Sequence, residues 1–319
     1  MAAPWVILGR VPRIAAADAD AEPGDDAEAD SAAASSSLAV ALPPRVTLLT
    51  AAPSAHPDPA RPDKFPYILA AGPGCLLSRF STSPYYGARF GADPPETRLV
   101  VARRFGTAAG ETTASADRVP DRPATMPSVR NIEGVGLIDV DDGEAYVIAE
   151  LQIDRGSDRA KLFRVHSGHV DPLVTELRNP LPALDREWVP GGVVSLHGKL
   201  WWYDLSWGIL SCDPFIDGPE LSFHHLPGDR ALEKPGPDSI HDHRCIATSQ
   251  ASLRYVETIP RVTDLGGSAI ISMWALADKR INSQLVAVCP SDPAVVFFAL
   301  EQHLFSVNVR AHKLLEVEH

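Results

Sequence analysis

Residues 191–227 read GGVVSLHGKLWWYDLSWGILSCDPFIDGPELSFHHLP. Valine and serine alternate up to His197-Gly198, and Leu200 to Leu205 follow as a second apolar run. Ser206 to Gly208 turn the chain into Ile209 to Cys212, and Leu221 to Leu226 close the unit before Pro227. The pattern is strand and turn repeated four times. Aromatic and β-branched residues suit a pleated, half-buried surface, while glycine supplies the positive φ of tight turns. Trp188, Trp201, Trp202 and Trp207, four of the chain's six tryptophans, lie in or just before this stretch.

Outward from this unit the same rhythm recurs. Upstream, Gly136–Val140, Ala145–Ile153, Lys161–His166 and Val170–Leu177 read as strands, parted by Asp-Gly and Gly turns. Downstream, Arg244–Thr248, Leu253–Ile259 and Ser268–Leu276 form one series. Leu285–Val288, Ala294–Leu300, His303–Val309 and Leu314–Val317 form another. Hairpins that begin at Lys161, Gly208, about Ala269 and His303 are spaced by about 47 residues on average, the length of a four-stranded propeller blade. A blade cannot bury both faces alone, so such units stack around a centre. The fold expected is mainly β: a propeller-like array of short antiparallel sheets with a kelch-like rhythm. A β-sandwich is the competing architecture. The thin segment Ala277–Gln284 points to an incomplete blade.

The remaining sequence is less regular. Residues 1–14 hold one short strand at Trp5–Leu8. Residues 15–37 are Ala, Asp, Glu and Ser without an apolar stripe, and read as a disordered acidic insertion. Residues 38–319 are expected to form a single β-rich domain. Leu99–Arg103 reads as a strand, and Gly106–Pro127 as a polar loop.

Net charge is −12, of which −7 falls between Asp18 and Asp30, where no basic residue occurs. A phosphate-backbone ligand needs clustered Lys and Arg, and Arg103-Arg104 is the nearest approach, so no nucleic acid is expected. No run nears the ~20 apolar residues of a membrane span, and no signal peptide is recognised at Trp5–Leu8. Four cysteines without CxxC spacing fit a reducing compartment. A cytoplasmic or nuclear location is therefore expected, with other proteins as partners and no membrane.

The words LWWYDLSWGILSCDPF, RCIATSQASLRYVE and MWAL, the opening PWVILGR and the ending PSDPAVVFFALEQHLFSVNVRAHKLLE resemble a plant protein family, expanded in grasses, known only as domain of unknown function 1618. The resemblance is most specific between 134 and 276. It implies no activity, cofactor or catalytic residue. The family pattern carries a further tryptophan stretch after MWAL, where this chain passes from ADKRINSQ to LVAVCPSDP.

Few residues suggest chemistry. His241 and His243, with Asp242 between them and Cys245 close by, are the densest group of potential zinc ligands; the preferred reading is a polar loop after Pro235-Gly236-Pro237. Asp139, Asp141, Asp142 and Glu144 fail the spacing of a calcium loop. Asp204 and Asp213 are the carboxylates of the tryptophan unit, suited to glycosidic acid–base work if paired and to turn capping if not. Trp201 and Trp202 offer ring faces, but adjacent strand residues point to opposite sides. No nucleophile elbow, P-loop, dinucleotide fingerprint or H-E-x-x-H occurs. The sequence thus assigns no catalytic, cofactor-binding or metal-binding residue and calls for no cofactor. It leaves Trp201, Trp202, Asp204, Asp213, His241 and His243 as surface candidates. A non-enzymatic interaction scaffold is expected first. A carbohydrate-active or other hydrolytic propeller, or a degraded family copy, is the alternative.

Overall fold

The computed structural model describes residues 6–15, 34–41, 45–58, 61, 65–82, 97–108, 111–123, 126–140, 143–169, 171–228, 230–249, 251–263, 266–275, 278–281, 287–289, 292, 294–300, 303–308 and 313–318. The fold is mainly β, built of several antiparallel sheets. The first sheet comprises β1 (Ile7–Leu8), β2 (Arg13–Ile14), β3 (Ala34–Ala39), β4 (Val46–Ala51), β5 (Tyr67–Ala71), β6 (Cys75–Ser81), β7 (Thr97–Ala108) and β8 (Glu111–Arg118). Four meanders of four strands follow. The second sheet is β9 (Val135–Val140), β10 (Ala145–Ile153), β11 (Arg159–His166) and β12 (Leu173–Arg178). The third is β13 (Gly192–Leu196), β14 (Lys199–Asp204), β15 (Gly208–Cys212) and β16 (Ser222–His225). The fourth is β17 (Arg244–Ser249), β18 (Ser252–Thr263), β19 (Gly266–Ala275) and β20 (Asp278–Ile281). The fifth is β21 (Ala287–Val288), β22 (Val295–Leu300), β23 (His303–Asn308) and β24 (Lys313–Glu318). No helix among the described residues is long and apolar enough to cross a membrane.

Leading strands join the sheets into an array. β5 packs on β9, β9 on β13, β13 on β17 and β17 on β21, the propeller-like order expected from the repeat. Each hairpin start read from the sequence falls in the third strand of a sheet: Lys161 in β11, Gly208 in β15, Ala269 in β19 and His303 in β23. The fourth and fifth sheets both keep four strands. Their close spacing is met by shortening β20 to four residues and β21 to two, rather than by losing a strand pair.

Strand periodicity explains why both faces of the second sheet are buried. On β10, Tyr146 and Ile148 pack with Leu137, Leu77 and Val101 toward the first sheet. Val147, Ala149 and Leu151 alternate to the other side, against Trp202, Leu200 and Leu210 of the third sheet. The two sheets meet closely where β9 crosses β13. A Cβ on Gly136 would stand 2.5 Å from Val193 Cγ1, so glycine is what lets these backbones approach. The hairpin turn between β13 and β14 takes positive φ at both central residues, 52° at His197 and 72° at Gly198, which matches the right-handed twist of its strands.

The first sheet is larger than the array units and curls on itself. β1 and β2 pair in parallel with β4, while the Arg10 carbonyl between them accepts a bond from Ile68 N–H of β5. Its interior holds Leu49, Leu76, Ala102 and Ala114 with Leu8 and Leu38. Two sequence expectations change here. Of residues 15–37, 16–33 lie outside the described residues, but Ala34–Ser37 open strand β3, which is paired on both sides by β4 and β8. Within Gly106–Pro127, residues 111–118 are strand β8 rather than loop. β8 buries the small side chains of Ala114 and Ala116, and β3 reads ASSSLA, so neither carries an alternation of large apolar residues. Asp141 and Asp142 lie outside the described residues.

Candidate functional site

The tryptophan unit holds the array together. Trp202 is fully buried, and its indole N–H donates to the Gly134 carbonyl at 2.8 Å, tying the third sheet to the start of the second. Trp201, on the opposite face, donates to the Leu196 carbonyl at 3.1 Å and packs on the His224 ring. Trp207 lies between Trp188 and Phe223, and the Arg186 guanidinium lies 4.6 Å over its ring.

Asp204 is buried at the β14–β15 turn. Its Oδ1 accepts from Ser206 N–H at 2.8 Å and from the Ser206 hydroxyl at 2.6 Å, and its Oδ2 accepts from Val189 N–H at 3.2 Å. Burial raises its pKa, against the opposing pull of those Ser206 bonds. Asp213 sits at the other end of β15, where its Oδ1 accepts from Phe215 N–H at 2.9 Å. The strand between them spans five residues, on the order of 16 Å at ~3.3 Å per residue. Paired glycosidase carboxylates stand ~5–9.5 Å apart. These two therefore do not act on one bond together; each caps its own turn.

His241 lies in a 3-10 turn over Asp238–Asp242, and His243 is the residue that caps it. Both are exposed. The pair is thus in a turn, and not on a strand where both rings would share a face. Among the described residues no group of three His, Cys, Asp or Glu side chains is placed to hold a metal ion. The thiols are quiet. Cys75, Cys212 and Cys289 are buried, and burial pushes Cys75 and Cys245 up to about 12 and Cys212 to about 11. A thiol held protonated is a poor nucleophile.

The candidate site lies elsewhere, where the leading strands begin. Tyr67 opens β5, Glu133 stands two residues before β9, Gly192 opens β13 directly after Gly191, and His241 precedes β17. Arg10 reaches into this end from the segment between β1 and β2. Its Nη2 donates to Glu133 Oε2 at 3.2 Å, and its guanidinium stands 4.6 Å over the Tyr67 ring. Asn131 Nδ2 donates to the Pro190 carbonyl at 3.3 Å, joining the approach to β9 with the approach to β13.

Tyr203 completes the group. Register places it opposite Gly192, and its ring fills the space both glycines leave. A Cβ on Gly192 would stand 2.2 Å from Tyr203 Oη, and one on Gly191 would stand 2.8 Å from His241 Cε1. Tyr203 also lies within electrostatic reach of Cys245, Glu133, Arg10 and Tyr67. Burial raises both phenols, Tyr67 to about 12, so each is a neutral hydrogen-bonding group at physiological pH. The result is a cluster of one cation, one carboxylate, two phenols and an imidazole, in which Arg10 and His241 are exposed and Tyr67, Glu133 and Tyr203 are partly buried. It draws on four sheets and on the N-terminal segment. The sequence reading found only His241 of this group. The others sit beside first strands, and were visible only once the repeat boundaries were known.

Residues 202–285 match the model of a family described as Protein of unknown function (DUF1618), which bears out the resemblance read in LWWYDLSWGILSCDPF and RCIATSQASLRYVE. No curated protein matches the chain. Among solved structures, the chain is similar to Penicillium chrysogenum alpha-L-arabinanase complexed with arabinobiose. Identity is 12 %, coverage is 76 % of this chain and 74 % of that one, and the TM-score is 0.35. It is also similar to Trypanosoma rangeli sialidase in complex with 2,3-difluorosialic acid, at 14 % identity, 78 % and 42 % coverage, and a TM-score of 0.36.

Proposed function

We propose that the chain is a protein-binding scaffold that engages its partner at the starting ends of the leading strands, through Arg10, Tyr67, Glu133, Tyr203 and His241. One observation carries this reading: the residue types gathered there. Tyrosine and arginine dominate the energetics of protein interfaces, because they bring area and hydrogen bonds at modest entropic cost. Here two tyrosines and a half-exposed arginine, its side chain 57 % accessible, are held in register by strands of different sheets. Rigid sheets that present a site at their ends are the usual division of labour between framework and function. Turn capping by Asp204 and Asp213 gives the hydrolytic alternative no support from those residues.

The test is affinity capture from native tissue with the immobilised full chain, run beside an Arg10→Glu chain and a Leu173→Lys chain. Leu173 is an exposed residue of the outer strand β12. The proposal expects a reproducible partner that is lost with Arg10→Glu and kept with Leu173→Lys. A partner kept by Arg10→Glu overturns it, as does turnover of a glycoside in a hydrolase panel.

A further inference from the structure

Away from the leading strands, a cavity of about 360 Å³ lies against the face of the second sheet that looks toward the first. Register builds its floor. Ile148 of β10 stands opposite Val165 of β11, and Glu150 stands opposite Phe163. With a strand period of two, all four side chains share one face. Residues 119–123 and 126–132 pass over them as a roof, and Leu99 of β7 closes one side. Most of the lining is apolar.

One wall is polar and internally balanced. Glu150 is buried, and its Oε1 accepts from Arg130 N–H at 3.0 Å and from Gln152 Nε2 at 2.9 Å. Its other oxygen pairs with the Arg122 guanidinium, which lies 4.7 Å over the Phe163 ring. The two charges cancel across the wall. A charged ligand would have to compete for one partner and strand the other in a buried setting, which is unfavourable. A neutral molecule leaves the pair intact, and still finds a guanidinium edge and the Ser128 side of the lining for one hydrogen bond. A volume near the low end of small-molecule sites limits the occupant to one or two rings.

We infer that this cavity is a binding site for a small, uncharged, mainly apolar molecule with a single hydrogen-bonding end. The inference is independent of the protein-binding reading. The neutral probe is 1-naphthol, and its charged counterpart is 1-naphthalenesulfonate. Each is titrated into the full chain with methyl-labelled methionine. The chain has three methionines, and Met126 lines the cavity; a Met126→Leu chain assigns its signal. Expected are saturable binding of 1-naphthol, a shift confined to the Met126 methyl, and affinity at least tenfold above that of the sulfonate. Ile148→Trp and Val165→Phe, which fill the floor from two strands, are expected to weaken 1-naphthol at least tenfold. Binding without a Met126 shift, equal affinity for the sulfonate, or no saturation overturns the inference. Should both filled variants fail to fold, the wild-type titrations decide it in the same terms.

Discussion

Trp202 is the side chain whose removal most directly tests how the sheets are joined. It is fully buried between the second and third sheets, among Val147, Leu162, Leu200 and Leu210. Truncating a buried tryptophan to alanine costs ~3–5 kcal/mol from lost transfer energy and the cavity left behind. Its indole N–H also satisfies the Gly134 carbonyl at 2.8 Å, and an orphaned buried acceptor adds ~1–3 kcal/mol. Trp202→Ala is therefore expected to lose about 4–8 kcal/mol, a large share of the ~5–15 kcal/mol of a folded domain. With ~2.1 cal/mol/K per residue of unfolding entropy, that loss lowers the melting temperature of the 319-residue chain by roughly 6–12 °C. Trp202→Phe keeps most of the apolar area and isolates the hydrogen bond, at about 1–3 kcal/mol. Trp201→Ala, on the half-buried opposite face, is expected to lose about 1–2 kcal/mol. Urea unfolding followed by far-UV circular dichroism measures all three without relying on tryptophan emission. A Trp202→Ala loss below ~2 kcal/mol, or a larger loss from Trp201→Ala, would refute the placement of the joint.

Other perturbations test separate parts. Arg122→Met strands the buried Glu150 carboxylate, so it is expected to cost about 3–5 kcal/mol in urea unfolding, and a second Glu150→Gln change is expected to restore much of it. Gly136→Ala drives a methyl into Val193 and is expected to cost about 1–3 kcal/mol by overpacking; an unchanged midpoint would mean that the β9–β13 approach is looser than described. Burial first, and then Lys199, lower the pKa of His224. The unfolded state thus binds the proton more readily, and stability falls as pH drops below the ordinary value of 6.5 toward the folded one. His224→Gln should flatten that fall in denaturant midpoints measured from pH 7 to pH 5, and an unaltered slope would discount it.

The regular sheets were legible because turn glycines and apolar alternation coincide in them. In β10 the sequence pattern and the observed strand share the bounds Ala145–Ile153. Strands β3 and β8 are not legible: β3 reads ASSSLA with Leu38 as its one large apolar residue, and in β8 the buried residues Ala114 and Ala116 are small while Thr113 and Arg118 are exposed. Their strand character comes from neighbours on both sides rather than from local pattern. The interval between the last two sheets misled in the other direction, because spacing measures chain length and not strand count. Candidate residues failed for a different reason. Asp204 and Asp213 are chemically apt within one unit, but they flank β15 at its opposite ends. The Arg10–Glu133 contact joins residues 123 positions apart, a separation that no local motif encodes.

The most direct measurement is hydrogen exchange of the full chain with and without its captured partner. The account predicts new protection at residues 7–13, 132–134 and 238–243, where the leading strands begin, and none along the outer strands β12 and β16. Protection confined to those outer strands, with the starting ends unchanged, would contradict it.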